Sequence, residues 1–255
     1  MRCNLKERLR SNQLSIGTWL ALGNTAIAEI VVAAGYDWVV IDLEHSVISI
    51  DQAGELIRVI DLAGSVPLVR LTSNDPCQIK RVMDAGARGI IVPMVNCRED
   101  AELAVAATRY APVGYRGVGL ARAQGYGANF KEYLQWQKGD PVVIVQIEHR
   151  QALDNLDEIF SVSSVDGFII GPYDLSCSLG IPGQFDRDEF RSALEKIRAV
   201  GAQCHCPAGL HVVEPDPAQL INAVKDGYKF LAYSVDMRMI DVTARLGLNA
   251  VKEYR

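Results

Sequence analysis

The chain has 255 residues, 49% of them apolar, and a formal net charge of −5 from 26 basic and 31 acidic residues. That length suits one α/β barrel of roughly 250 residues, and an acidic balance with no long basic run excludes nucleic acid and anionic membrane as natural partners. The longest apolar runs are strand-sized, so no bilayer span is expected. Met1 to Arg10 reads as an amphipathic helix without the apolar core of a signal peptide, which places the protein in the cytoplasm.

Short apolar runs then alternate with helical patterns to the end of the chain. In order, strands are expected at Ile16 to Leu20, Trp38 to Asp42, Pro67 to Arg70, Gly89 to Val92, Val142 to Ile147, Gly167 to Ile170, Ala208 to Val212 and Phe230 to Tyr233. Helical periodicity lies between them, for example over Asn24 to Ala34, Asp51 to Ala63, Pro76 to Ala85, Arg98 to Arg109 and Asp188 to Val200. Continuous β-branched strands separated by amphipathic helices specify βα units and a parallel sheet. Eight units favour a closed (β/α)8 TIM barrel, in one domain over residues 1–255 with a short N-terminal helix. Ala34-Gly35, Ala85-Gly86 and Asp226-Gly227 sit where a helix must end in a left-handed cap and turn into a strand.

One stretch breaks the pattern. Ala111 to Gly127 carries five glycines with Arg116 and Arg122, and a loop of this length is either functional or a solvated surface segment. Its arginines point to an anionic ligand or a neighbouring subunit in the first case. The six cysteines do not form a disulfide-scaffold pattern in a chain this long. Cys204-His205-Cys206 lacks structural-zinc spacing and a second cysteine pair.

Two successive strands end on a carboxylate: Val142 to Ile147 runs into Glu148, and Gly167 to Ile170 runs through Gly171-Pro172-Tyr173 to Asp174. Barrel enzymes keep their chemistry at this end. Hard oxygen ligands at adjacent strand ends suit Mg²⁺ or Mn²⁺, with Co²⁺ also compatible, although either acid alone also suits a helix start. Asp42 ends the second strand with His45 three residues on, a natural dyad in which the carboxylate orients the imidazole as general base. Arg70 ends the third strand, where a guanidinium stabilises an enolate oxygen, grips a carboxylate or pairs with a neighbouring acid. Gln146 shares its strand face with Glu148. The turn Gly171-Pro172-Tyr173 offers backbone N–H groups to a substrate carboxylate. Trp19 either walls the pocket or packs the barrel. His149, His205 and His211 receive no role. No candidate strand ends in lysine, which agrees with a metal route rather than a Schiff base.

With these residues in view, the chain resembles the HpcH/HpaI aldolases, metal-dependent class II pyruvate aldolases of the phosphoenolpyruvate/pyruvate barrel superfamily. The matching stretches run in order over most of the chain: Gly17-Thr18-Trp19-Leu20, Asp37 to His45, Asn74-Asp75-Pro76, Val92-Pro93-Met94-Val95, Arg116-Gly117-Val118-Gly119, Val145 to Glu148 and Gly171 to Ser176. The resemblance implies metal binding by Glu148 and Asp174, keto-acid contacts from Arg70 and Gln146, and proton handling at the C4 hydroxyl by His45 supported by Asp42. It further implies a pocket lined by Trp19 and Arg122 and a homo-oligomer, trimer or hexamer, with sites near subunit interfaces. The implied reaction joins or splits a small 2-oxo acid and an aldehyde. The same machinery also serves oxaloacetate decarboxylation, a citrate-synthase-like condensation, or keto-acid binding without turnover. Tyr173 stands where some members carry alanine, Leu43 replaces a glycine and His149 a threonine, departures that bear on the acceptor.

Overall fold

The alternation of apolar runs resolves into eight parallel strands, each hydrogen-bonded to the next in chain order, with the last returning to the first to close a barrel. This is a computed structural model, and it describes residues 4–254. A short helix, α1 (Leu5–Arg10), precedes the barrel, so the expected N-terminal helix is present from Leu5 onward, while residues 1–3, Cys3 included, lie outside the described residues. The strands are β1 (Ser15–Leu20), β2 (Trp38–Asp42), β3 (Val66–Arg70), β4 (Gly89–Val92), β5 (Val142–Ile147), β6 (Gly167–Ile170), β7 (Ala208–Val212) and β8 (Phe230–Val235). Between them run α2 (Thr25–Ala33), α3 (Ile50–Ala63), α4 (Pro76–Ala85), α5 (Arg98–Ala107), α6 (Phe130–Gly139), α7 (Leu156–Phe160), α8 (Pro172–Ser178), α9 (Asp188–Gln203) and α10 (Pro217–Lys225). A last helix, α11 (Asp236–Ala250), follows β8. Gly35, Gly86 and Gly227 take positive φ, as the expected helix ends require.

Strand alternation sorts the core into two layers. Val39, Ile41, Val69, Val143 and Val145 face outward into the layer between barrel and helices. Trp38, Val40, Leu68, Ile91, Ile144, Ile169 and Phe230 fill the interior. There the rings of Trp38 and Phe230 stack at 4.0 Å and 9°. Gly17 makes room for them: a Cβ there would stand 2.0 Å from the Trp38 ring. The same parity carries the interior rows of β2, β3, β5 and β7 upward to Asp42, Arg70, Gln146 and His211 at the C-terminal rim.

The opposite end is closed by α1. Leu5 and Leu9 join the interior cluster, and the buried Lys6 ammonium donates to Asp166 Oδ2 and to the Pro141 carbonyl, each at 2.7 Å. Asp166 Oδ2 also accepts the Val143 N–H, so the pair ties α1 to the start of β5. Burial pushes the Lys6 pKa down and the Asp166 pKa up. Such a pair is retained because losing one partner strands a buried charge at about 3–5 kcal/mol, not because the pair is strongly net stabilising.

The helix α11 behaves differently from the others. Asp236 anchors its start by accepting the N–H groups of Ala21, Leu22 and Met237. Beyond that residue nothing in α11 is buried, and Met237, Ile240, Leu246 and Leu248 are exposed. No helix among the described residues is long and apolar enough to cross a membrane.

Candidate active site

The register of the barrel places Asp42 beside Arg70 at the ends of β2 and β3. Their side chains meet in a fork: Arg70 Nε donates to Asp42 Oδ1 at 2.9 Å and Nη2 to Oδ2 at 2.6 Å. This bidentate geometry fixes the guanidinium plane. The third nitrogen, Nη1, lies 3.2 Å from Glu44 Oε2. Burial, and then the nearby carboxylates Glu148, Asp42 and Asp174, push the Glu44 carboxyl up to about 7 against the pull of Arg70.

The expected Asp42–His45 dyad takes another form. Asp42 Oδ1 accepts the backbone N–H groups of Glu44 at 3.0 Å and His45 at 3.3 Å. The aspartate thus folds the chain behind β2 into a turn, as short acidic side chains do two and three residues ahead of themselves. The imidazole points away from it: His45 Nε2 is 3.8 Å from Glu44 Oε2, and the side chain is 62% exposed. Asp42 supports His45 through the backbone, and Glu44, which carried no sequence expectation, is the carboxylate nearest the ring.

On β5 the interior row Val142, Ile144, Gln146 leads to Glu148, whose carboxylate is 2% exposed. Its Oε1 accepts the Met94 N–H at 2.7 Å and its Oε2 accepts Gln146 Nε2. Met94 holds a left-handed φ of 54°, a conformation uncommon outside glycine, spent here on aiming one N–H at the site. Burial raises the Glu148 pKa, opposed by these two donors and by Arg70. Gly171, which follows β6, has no side chain because Glu148 occupies that space: a Cβ there would stand 2.6 Å from Glu148 Oε2. Asp174 sits exposed in the first turn of α8, close enough to raise the Glu148 pKa further.

These residues fit a hard divalent cation. A carboxylate this buried needs a compensating positive charge, and Arg70 is already committed to Asp42 and Glu44. Among the described residues no group of three or more His, Cys, Asp or Glu closes around a metal, Cys204-His205-Cys206 included. Two carboxylates beside open volume is the arrangement Mg²⁺ favours, since it keeps water or substrate oxygens in most positions.

A cavity of about 200 Å³ opens at this rim, lined among others by Trp19, His45, Arg70, Gln146, Gly171, Pro172, Tyr173, Asp174 and His211. Trp19 meets both expectations for it, packing in the barrel interior and walling the cavity. The Arg70 guanidinium lies 4.5 Å from its ring centroid. Tyr173 is 64% exposed and turns its ring edge-on to Phe185. Arg122 is the exception. It donates to Asp61 Oδ2 at 2.7 Å and to the Ala85 carbonyl, at the ends of α3 and α4, and so belongs to the opposite face of the barrel. It does not line the pocket of its own chain. Arg116 also turns inward, over the rings of Tyr110 and Tyr133. The arginines of the glycine-rich segment are thus engaged within their own chain, while its residues 111–113 and 117–120 stay exposed.

His211 was legible as a site residue and missed. It stands two residues after Gly209 on β7, so strand parity alone points it inward at the catalytic end.

The polar groups of the cavity thus stand on strand ends, on the turns after them or in the first turn of α8. A family model described as HpcH/HpaI aldolase/citrate lyase matches residues 15–241, spanning all eight strands. The chain is 39% identical over 237 residues to 2-keto-3-deoxy-L-rhamnonate aldolase of Escherichia coli strain K12, covering 91% of this chain and 86% of that one. It superposes on an HpcH/HpaI aldolase/citrate lyase family protein from Burkholderia cenocepacia J2315 with a TM-score of 0.91 at 33% identity, covering 97% of this chain and 98% of that chain. The citrate synthase SbnG superposes with a TM-score of 0.85 at 29% identity, covering 98% of each chain. A match that takes in the whole barrel and both carboxylate-bearing strand ends shows that this chain belongs to the HpcH/HpaI aldolase/citrate lyase family.

Proposed function

We propose that the chain reversibly cleaves a 4-hydroxy-2-oxo acid, of the 2-keto-3-deoxy sugar acid or 2,4-dihydroxyhept-2-enedioate type, into pyruvate and an aldehyde. It is a carbon–carbon lyase of the aldolase type. The observation that carries the reading is the buried Glu148, set with Asp174 at one rim of the barrel together with the Asp42–Arg70 fork.

Glu148 and Asp174 hold a divalent cation, Mg²⁺ or Mn²⁺ with Co²⁺ also compatible, which supplies Lewis-acid stabilisation of enolate charge when bound. Gln146 orients the 2-keto group beside Glu148, and in the Gly171-Pro172-Tyr173 turn the Tyr173 N–H receives the substrate carboxylate, since the Gly171 N–H is bonded to the Ile147 carbonyl and Pro172 has none. His45 removes the C4 hydroxyl proton. The C3–C4 bond then breaks, C4 leaves as the aldehyde carbonyl, and the bond's electron pair becomes the pyruvate enolate, which takes a proton at C3. Arg70, locked in plane by Asp42, presents positive charge to the developing oxyanion without reorganising.

The test is pyruvate release from a panel of 4-hydroxy-2-oxo acids, with oxaloacetate alongside. Cleavage of a hydroxy-keto acid that stops on chelation and returns with Mg²⁺ or Mn²⁺ is the expected result. Full activity after exhaustive chelation would sink the metal route. The likeness to a citrate synthase favours a second reading, oxaloacetate decarboxylation or condensation on the same site, and turnover of oxaloacetate alone would select it.

We further read the protein as a cytoplasmic homo-oligomer, a trimer or hexamer. The support is α11, which leaves Met237, Ile240, Leu246 and Leu248 exposed, together with the exposed Val118 and Leu120 of the glycine-rich segment. Apolar exposure on this scale marks a contact surface. Native mass measurement is expected to give three or six chains, and a monomer at micromolar concentration would remove the assignment.

A further inference from the structure

Among the cavity side chains that the reaction above does not use is a histidine. His211 stacks on Trp19 with ring centroids 5.2 Å apart and planes 19° apart. Its Nε2 lies 3.0 Å from the Ser234 carbonyl oxygen. A carbonyl only accepts, so Nε2 carries the proton, and Nδ1 is left as a bare acceptor. The seat is built. Ser234 takes a left-handed φ of 57°. Its carbonyl also receives the Thr18 hydroxyl, and its own hydroxyl is tied to the Val213 carbonyl. The ring is thus held by Trp19 and by Ser234, which Thr18 and Val213 brace in turn.

Among the described residues Nδ1 has no hydrogen-bond partner, although the ring lines the cavity. Burial, with Arg70 nearby and opposed by the Ser234 contact and Asp42, holds the His211 pKa down at about 4, so the imidazole stays neutral at working pH. Gln146 and Arg70 are engaged with Glu148, Asp42 and Glu44, and the Trp19 Nε1–H, which has no hydrogen-bond partner among the described residues either, can only donate. On the side of β6 and β7 the lining includes the apolar Ile169, Ile170, Pro172 and Val213 and the ring of Tyr173. A substrate whose keto-acid end is held at Glu148 and Asp174 extends its far end along this wall.

Resting on the aldolase reading, we propose that His211 is a specificity-determining residue whose Nδ1 accepts a hydrogen bond from a hydroxyl of the aldehyde portion. The chain thereby selects hydroxylated aldehydes over apolar ones of equal length. An acceptor on the cavity wall penalises the analogue that lacks the hydroxyl, because the bound substrate then desolvates the acceptor without giving it a partner.

The test compares 2-hydroxypropanal with propanal, which differ by one hydroxyl, as acceptors for pyruvate. Wild type is expected to favour the hydroxylated aldehyde in kcat/KM. His211→Phe, which keeps a ring against Trp19, should reduce that preference on the order of ten- to hundredfold. His211→Gln, which can donate to Ser234 and still accept, should restore part of it. An unchanged preference in His211→Phe, whether or not both rates fall, overturns the proposal. A second readout needs no turnover: in enzyme carrying ¹⁵N-labelled histidine with Mg²⁺ and pyruvate, the bare Nδ1 resonance should move on adding 2-hydroxypropanal and not propanal. No movement with either aldehyde, or equal movement with both, overturns it. Failure of the aldolase reading shows separately, as a wild type that joins pyruvate to neither aldehyde.

Discussion

Glu148→Gln is expected to lower kcat for aldol cleavage on the order of a thousandfold or more while leaving the protein folded. The substitution keeps the shape and keeps an oxygen for the Met94 N–H, which Glu148 Oε1 now accepts at 2.7 Å. It removes the charge. A neutral amide is a poor ligand for a hard cation beside a single remaining carboxylate, Asp174. Loss of Lewis-acid stabilisation worth several kcal/mol corresponds to three orders of magnitude or more in rate. Stability should hold or rise, because burial already disfavours the ionised form of Glu148 in the absence of a cation. The measurements are steady-state pyruvate release, Mn²⁺ affinity by calorimetry and the thermal midpoint. A variant that binds Mn²⁺ as wild type does and cleaves at more than a tenth of its rate would remove Glu148 from the metal site.

Most of the barrel was readable because its signals are local. An apolar β-branched run, a glycine at a helix end and a carboxylate after a strand each act over a few residues, and the eight expected strands lie within two residues of those observed. The rim residues followed from the same logic, since strand direction says which end Asp42, Arg70, Glu148 and Asp174 occupy. What escaped depends on how the ends face one another. Spacing made Asp42 and His45 a dyad, but Arg70 arrives from β3 and takes both carboxylate oxygens, leaving Glu44 as the acid beside the imidazole. Arg122 belonged to the pocket by resemblance, yet within one chain it pairs with Asp61 across the lower face. Ser234 gave no sign that it would take a left-handed φ and hold His211, because that depends on β7 and β8 lying side by side.

Gly171→Ala should lower kcat/KM about a hundredfold with only a modest loss of stability. At φ −93° and ψ 90° the residue sits in extended backbone that alanine adopts freely, so conformation is not the obstacle. Space is. A Cβ would stand 2.6 Å from Glu148 Oε2 and 2.8 Å from Glu148 Cβ. The oxygen belongs to a side chain that can rotate, but the Cβ is fixed to the strand end, so either Glu148 turns away or β6 and β5 part there. The Gly171 N–H donates to the Ile147 carbonyl at 3.1 Å, and this bond resists parting. The small backbone shift that relieves the Cβ contact therefore carries the Glu148 carboxylate with it. A shift of about 1 Å in a group that positions the reacting atoms costs on the order of 10²-fold, whereas overpacking of this size costs about 1–3 kcal/mol in stability. The two effects separate experimentally: kcat/KM should collapse while the folded fraction at 25 °C stays near wild type, and Mn²⁺ affinity should fall with the rate. Wild-type kcat/KM in a folded Gly171→Ala protein would mean that the Glu148 carboxylate does not need this position, and the site built around it would have to be abandoned.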